Sequence, residues 1–72
     1  MNWYLFTGSN PTDPAHYTRV ASQPNCIGSC LICAIRASDD GNGNPVISVS
    51  LLQEMILALS NKTNSANVML KD

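Results

Sequence analysis

A chain of 72 residues has room for one hydrophobic core, and at this size folding buries only about 60% of the surface the unfolded form exposes. Its net charge is −1, and its four basic residues, Arg19, Arg36, Lys62 and Lys71, are far apart in sequence. No basic patch is available for a phosphate backbone or anionic lipid, which argues against nucleic acid as a partner. Charged residues make up 12% of the chain, against about 25% in an average domain. Asn, Ser, Thr and Gly supply most of the polar surface, a composition that suits an extracellular protein and permits self-association. The apolar run Met55 to Leu59 is far shorter than the roughly 18 residues of a membrane span. The N-terminus lacks a basic segment followed by an apolar one. For an exported protein this implies that the signal peptide has already been removed and that Met1 is foreign to the mature chain.

Trp3-Tyr4-Leu5-Phe6-Thr7 is aromatic and favours a strand, which Gly8 and the turn formers Ser9-Asn10-Pro11-Thr12-Asp13-Pro14 end with an ordered loop. A short second strand is predicted over His16–Ala21, with Tyr17, Arg19 and Ala21 alternating against Thr18 and Val20. Gln23-Pro24-Asn25 breaks that run. The segment from Cys26 to Cys33 then leads into a third strand, Leu31–Ala37, in which period two puts Leu31, Cys33, Ile35 and Ala37 on one face.

Asp39 to Pro45 reads as a second loop, because Gly and Asn accept positive φ and Pro45 refuses a ladder position. A helix follows. Ser48 or Ser50 can cap it, the latter in the capping-box pattern Ser50-x-x-Gln53, and Leu51, Leu52, Met55, Ile56 and Leu59 form its apolar stripe. Asn61 stops the helix, Lys62 suits its negative end, and Val68-Met69-Leu70 makes a last short strand. The order β, β, β, α, β predicts an α+β fold in one domain, residues 1–72: a small antiparallel sheet with one amphipathic helix packed on one face.

Several motifs invite a chemical reading. Cys26-x3-Cys30-x2-Cys33 has the spacing by which radical enzymes ligate a four-iron cluster, but those enzymes need a barrel several times larger than this chain. Cys30-Leu31-Ile32-Cys33 has redox spacing, yet the second cysteine runs into a strand rather than a helix whose N-terminus would stabilise a thiolate. A zinc site from the three cysteines and His16 lacks the paired short ligand clusters of structural zinc sites. The favoured reading is one disulfide and one spare thiol, the usual staple of a small exported domain with a thin core. Asp40-x-Asn42-x-Asn44 begins like a calcium loop, but Pro45 stands where glycine is needed and Leu51 where a bidentate glutamate belongs. Asn61-Lys62-Thr63 is a glycosylation sequon with meaning only in a eukaryotic secretory pathway. One histidine, one glutamate and aspartates confined to loops or the C-terminus nominate no acid–base pair, so no catalytic residue, cofactor or metal is predicted. Trp3, Tyr4, Phe6 and Tyr17 are core or interface aromatics.

Taken in order, Thr7-Gly8, Pro11-Thr12-Asp13-Pro14, Tyr17, Cys26, Cys33-Ala34-Ile35, Asn44-Pro45, the helix and Ser65-x-Asn67-Val68-x-Leu70-Lys71 resemble a family of small exported bacterial proteins of unknown function. In these a short two-cysteine mature domain follows a signal peptide. The resemblance spans nearly the whole chain and is carried by the order of short motifs. It implies export and a disulfide between Cys26 and Cys33. Cys30 departs from the pattern and is open either to compete for Cys33 or to remain a free thiol. The expectation is a non-enzymatic extracytoplasmic protein, periplasmic, surface-bound or secreted. It would act by binding, as an accessory to or a subunit of a bacterial envelope assembly, with a protein partner or a second copy of itself. The alternatives are a small metal-binding or thiol-redox protein using Cys26, Cys30 and Cys33, and a secreted peptide toxin or signal.

Overall fold

The computed structural model describes all 72 residues as one four-stranded antiparallel sheet with a single α-helix on one face. The strands are β1 (Asn2–Phe6), β2 (Tyr17–Val20), β3 (Leu31–Ala37) and β4 (Val68–Lys71), and α1 (Val49–Asn61) connects β3 to β4. Their order in the sheet is β2-β1-β3-β4. The aromatic N-terminal strand is therefore central: Tyr4 lies opposite Arg19 of β2 and Ile35 of β3. The helix lies over β3 and β4. Tyr4, Tyr17, Ile32, Ile35, Ala37, Val68 and Leu70 from the sheet pack against Leu51, Met55 and Ala58 from the helix. This is the α+β sheet-and-helix arrangement that the element order predicts.

Two local expectations give way to the structure, and a third, left open between two residues, is settled. In β3 the pairing passes from Ile32↔Leu70 to Ala34↔Met69 and skips Cys33. An extra residue in one strand exchanges the faces on its two sides. Ile32 consequently joins Ile35 and Ala37 in the core, while Leu31, placed there by strict alternation, is 53% exposed. In α1 the buried stripe is Leu51, Met55 and Ala58, with Leu52 and Leu59 half-buried and Ile56 turned outward. The cap is settled for Ser48, whose Oγ accepts the Leu51 N–H at 3.2 Å; Ser50, the capping-box candidate, lies in the first helical turn. At the other end Asn61 is the last helical residue, and Lys62 takes the left-handed conformation.

The second strand is shorter than predicted, because His16 ends a 3-10 turn, Pro14–His16, that Asp13 caps through the Ala15 N–H. Tyr17 is buried, touches Phe6 with ring centroids 5.2 Å apart, and donates its hydroxyl to the Pro11 carbonyl at 2.6 Å. That bond ties the Pro- and Asn-rich loop to the sheet. On the opposite face the register aligns Trp3 with Val20 and Leu5 with Ala34 and Met69. The Gln23 side-chain amide reaches the Met69 sulfur at 3.5 Å and brings the segment after β2 to that side.

Candidate functional site

The cysteine segment is built around the β3 bulge. Cys33 is buried there and is joined to Cys26, seven residues earlier, with the two Cα atoms 6.2 Å apart. Between them the chain turns at the end of β4: the Cys30 N–H donates to the Lys71 carbonyl, and the Asp72 N–H donates to Ile27. Gly28 makes this possible. Its φ is +122°, and a Cβ on it would stand 2.2 Å from the Asp72 nitrogen, so both conformation and space demand glycine. Cys30 is an exposed free thiol between the exposed Ile27 and Leu31. The disulfide occupies two of the three sulfurs that a shared metal or cluster site would require.

The other polar residues singled out in the sequence are engaged in holding loops. His16 Nδ1 accepts the N–H groups of Ser9 (3.1 Å) and Asn10 (2.9 Å), while Nε2 lies 3.6 Å from an Asp13 carboxylate oxygen. To serve as base or ligand, Nδ1 would have to give up two backbone hydrogen bonds. In the second loop Asp40 Oδ1 accepts the N–H groups of Asn42 (2.7 Å) and Asn44 (3.3 Å), the internal bonding of an Asx turn. Asp39 accepts the Gly41 N–H at 2.8 Å and the Tyr4 hydroxyl at 2.9 Å. These two donors hold the Asp39 carboxyl below its ordinary pKa, and burial, followed by the bond to Asp39, raises the Tyr4 phenol. Burial likewise pushes up the Tyr17 phenol.

The one glutamate is a latch. Glu54, on the flank of α1, accepts from the Ser65 hydroxyl, from the Asn67 N–H at 2.9 Å and from the Asn67 side-chain amide at 3.1 Å. Partial burial would raise its pKa, but these donors outweigh that effect and lower it. The same segment covers the outer edge of β4: Asn64 Oδ1 accepts the Leu70 N–H at 2.8 Å, and Ser65 donates to the Val68 carbonyl. A cavity of 240 Å³ lies between the first turns of α1 and the end of β3, with Arg36, Ser38, Ser48, Ser50, Glu54 and Asn67 as its polar lining. Of these, Ser48 is occupied as the helix cap, and Glu54 and Asn67 are occupied with each other.

Sequence reasoning missed an exposed apolar side of the helix. The outward side of α1 presents Val49 (71% exposed), Ile56 (65%) and Leu57 (60%), with Leu52 and Leu59 half-buried beside them. Phe6 and Ile47 are also half-buried against the core. Glu54 is the only charged residue in the helix, and it faces Ser65 and Asn67. The signal was present in the spacing Val49-x2-Leu52-x3-Ile56-x2-Leu59, a second apolar seam beside the one that forms the core. No helix of the structure is long and apolar enough to cross a membrane. No protein-family model, curated protein or solved structure matches the chain.

Proposed function

We propose that the protein is a non-enzymatic exported domain that works by binding, as an accessory to or a subunit of an extracytoplasmic assembly in a bacterial envelope. The observation that carries this reading is the outward side of α1, where three large apolar side chains stand exposed on a regular helix. A single exposed apolar residue is ordinary, but several on the outward side of one rigid element mark an interaction surface. Export is supported by the Cys26–Cys33 disulfide in so small a domain, since such bonds persist in oxidising compartments. The order of motifs that resembles small exported bacterial proteins supports it as well.

The test is site-specific photo-crosslinking in the native host, with the photoreactive residue at Leu57. It should trap a discrete protein adduct in the envelope or extracellular fraction, and a control at the exposed Asn42 should not. Absence of any adduct at Leu57, with the protein recovered folded, overturns the binding reading. Recovery of the protein from the cytoplasm with three alkylatable thiols overturns the assignment of compartment.

A further inference from the structure

We propose that Asn42 is a site of spontaneous covalent modification, at which the backbone nitrogen of Gly43 displaces the side-chain amide as ammonia and water then leaves an aspartyl or isoaspartyl residue. The proposal is independent of the binding role above. Of the eight asparagines in the sequence, Asn42 alone precedes a glycine. Asn10 and Asn44 precede proline, whose nitrogen carries no proton to lose, and the other five precede residues whose side chains crowd the attacking nitrogen. Three asparagine side chains are also held in place: Asn10 Oδ1 accepts the Thr12 N–H, Asn64 Oδ1 accepts the Leu70 N–H, and the Asn67 amide donates to Glu54. Asn42 donates its main-chain N–H to Asp40 Oδ1 at 2.7 Å, while its exposed side chain has no partner.

The loop presents the attacking nitrogen without enclosing it. Gly43 has a φ of +88°, and a Cβ placed on it would meet no atom within 4 Å. Its N–H faces the Asp39 carboxylate, as the weaker of that group's two backbone donors. Ring closure joins this nitrogen to Asn42 Cγ: the bond from Cγ to the amide nitrogen breaks, the Gly43 proton leaves with the departing ammonia, and a five-membered imide remains. Water opens the imide at either carbonyl. Opening at the side-chain carbonyl gives aspartate, and opening at the main-chain carbonyl gives isoaspartate, with the backbone running through the former side chain. Either product adds one carboxylate to a chain whose net charge is −1, and no reactant beyond water is consumed. Asp40-Gly41 has the same spacing, but Asp40 Oδ1 is held by the N–H groups of Asn42 and Asn44, and an ionised carboxylate is a poor electrophile. The change stays local. The Asp40 N–H donates to the Asn44 carbonyl at 2.9 Å, the Val46 N–H donates to the Ser38 carbonyl at 2.8 Å, and Asp39 bridges Pro45, so the base of the loop remains closed. The bonds at risk are the two that Asp40 Oδ1 accepts, because residue 42 gains a charge like that of Asp40 and isoaspartate lengthens the backbone between their donors.

Incubation of the oxidised full chain at neutral pH and physiological temperature tests this, with peptide mapping by tandem mass spectrometry as the readout. Replacement of the amide nitrogen by oxygen should accumulate at residue 42 and not at the other seven asparagines. A protease that cuts before aspartate but not before isoaspartate should divide the product into the two forms. The folded chain should convert within about tenfold of the rate of the same chain reduced and unfolded in guanidinium chloride, because nothing in the fold encloses the tip. Gly43→Ala should slow conversion at least about tenfold, since a methyl group crowds the nitrogen and disfavours the positive φ. Asn42→Gln, whose longer side chain would have to close a six-membered ring, should abolish conversion at residue 42 while leaving the loop its glycine. In the converted chain the amides of residues 42 and 44 should lose exchange protection, while those of Tyr4 and Ile35 keep it. An Asn42 that retains its amide while the unfolded chain loses it overturns the proposal, as does conversion spread evenly over the other asparagines or a Gly43→Ala chain that converts at the parent rate.

Discussion

Reducing the Cys26–Cys33 bond perturbs this fold without changing its volume, and a Cys30→Ser background confines the chemistry to that one bond. The bond closes a loop across a separation of seven residues, and the chain-entropy relation assigns a loop of that size about 2.5 kcal/mol of stability. For a domain of this length 1 kcal/mol moves the thermal midpoint by about 4–8 °C, so reduction should lower it by roughly 10–20 °C. Urea unfolding followed by circular dichroism, oxidised against reduced, measures the difference directly, with an equal or somewhat steeper slope expected for the reduced chain because its unfolded ensemble is less compact. Hydrogen exchange adds a local readout. The amides of residue 30 and Asp72, bonded to Lys71 and Ile27, should lose protection well before those of Tyr4 and Ile35 in the sheet centre. A loss below about 1 kcal/mol would mean that the segment is held by its contacts with Met69, Lys71 and Asp72 and that the staple is redundant. Peptide mapping of the wild-type chain provides the companion check: a Cys30–Cys33 linkage would refute the pairing outright.

Glu54→Gln should cost about 1 kcal/mol at neutral pH, a figure kept small because the carboxylate remains partly solvated. Its folded-state pKa is lowered, so its contribution is fully present above the unfolded value of about 4.3 and is lost as pH falls through the folded value. The wild type should therefore lose stability more steeply than Glu54→Gln in thermal melts between about pH 5 and pH 3, while Asp39, shifted in the same direction, keeps some slope in both. Identical pH profiles would show that the latch is not energetically coupled to folding. Tyr17→Phe removes the hydroxyl that holds the Pro11 carbonyl and should cost about 1 kcal/mol, with amide chemical-shift changes concentrated in residues 8–14. Gly28→Ala should cost about 1–3 kcal/mol through its positive φ and its approach to Asp72, and unchanged exchange at Asp72 would contradict that account.

The element order was legible because each element announces itself locally. The aromatic run at the N-terminus, the turn cluster from Gly8 to Pro14 and the helical period after Ser48 each point to one structure. The bulge at Cys33 was not legible, because nothing in Leu31–Ala37 marks which residue will be left unpaired. The choice is made by β4, whose Leu70 and Val68 pair with Ile32 and Ile35, and by the bond that anchors Cys33 to Cys26. The side-chain partners of His16 and Glu54 were equally hidden: the first closes a loop through backbone N–H groups, and the second reaches a segment 11–13 residues further on.

The helix shows most clearly where local reasoning ends. Around Val49–Asn61 the apolar residues fill an arc from Ala58 and Leu51 through Met55, Leu59 and Leu52 to Ile56 and Val49, wider than one sheet face can cover. Hydrophobic period alone assigns the helix to a core but does not say which part of a broad arc turns inward. The structure decides through two fixed points outside the stripe. Ser48 caps the first turn, and Glu54, bound to Ser65 and Asn67, ties its own flank of the helix to the segment before β4. The orientation of the helix buries the small Ala58 against the sheet and leaves Ile56 outside, although exchanging them would bury more apolar area. If the latch sets this orientation, Glu54→Gln should alter the accessibility of Ile56 and Leu57 as well as stability. Covalent surface labelling of the two side chains reads that accessibility, and unchanged labelling would refute the account of the latch.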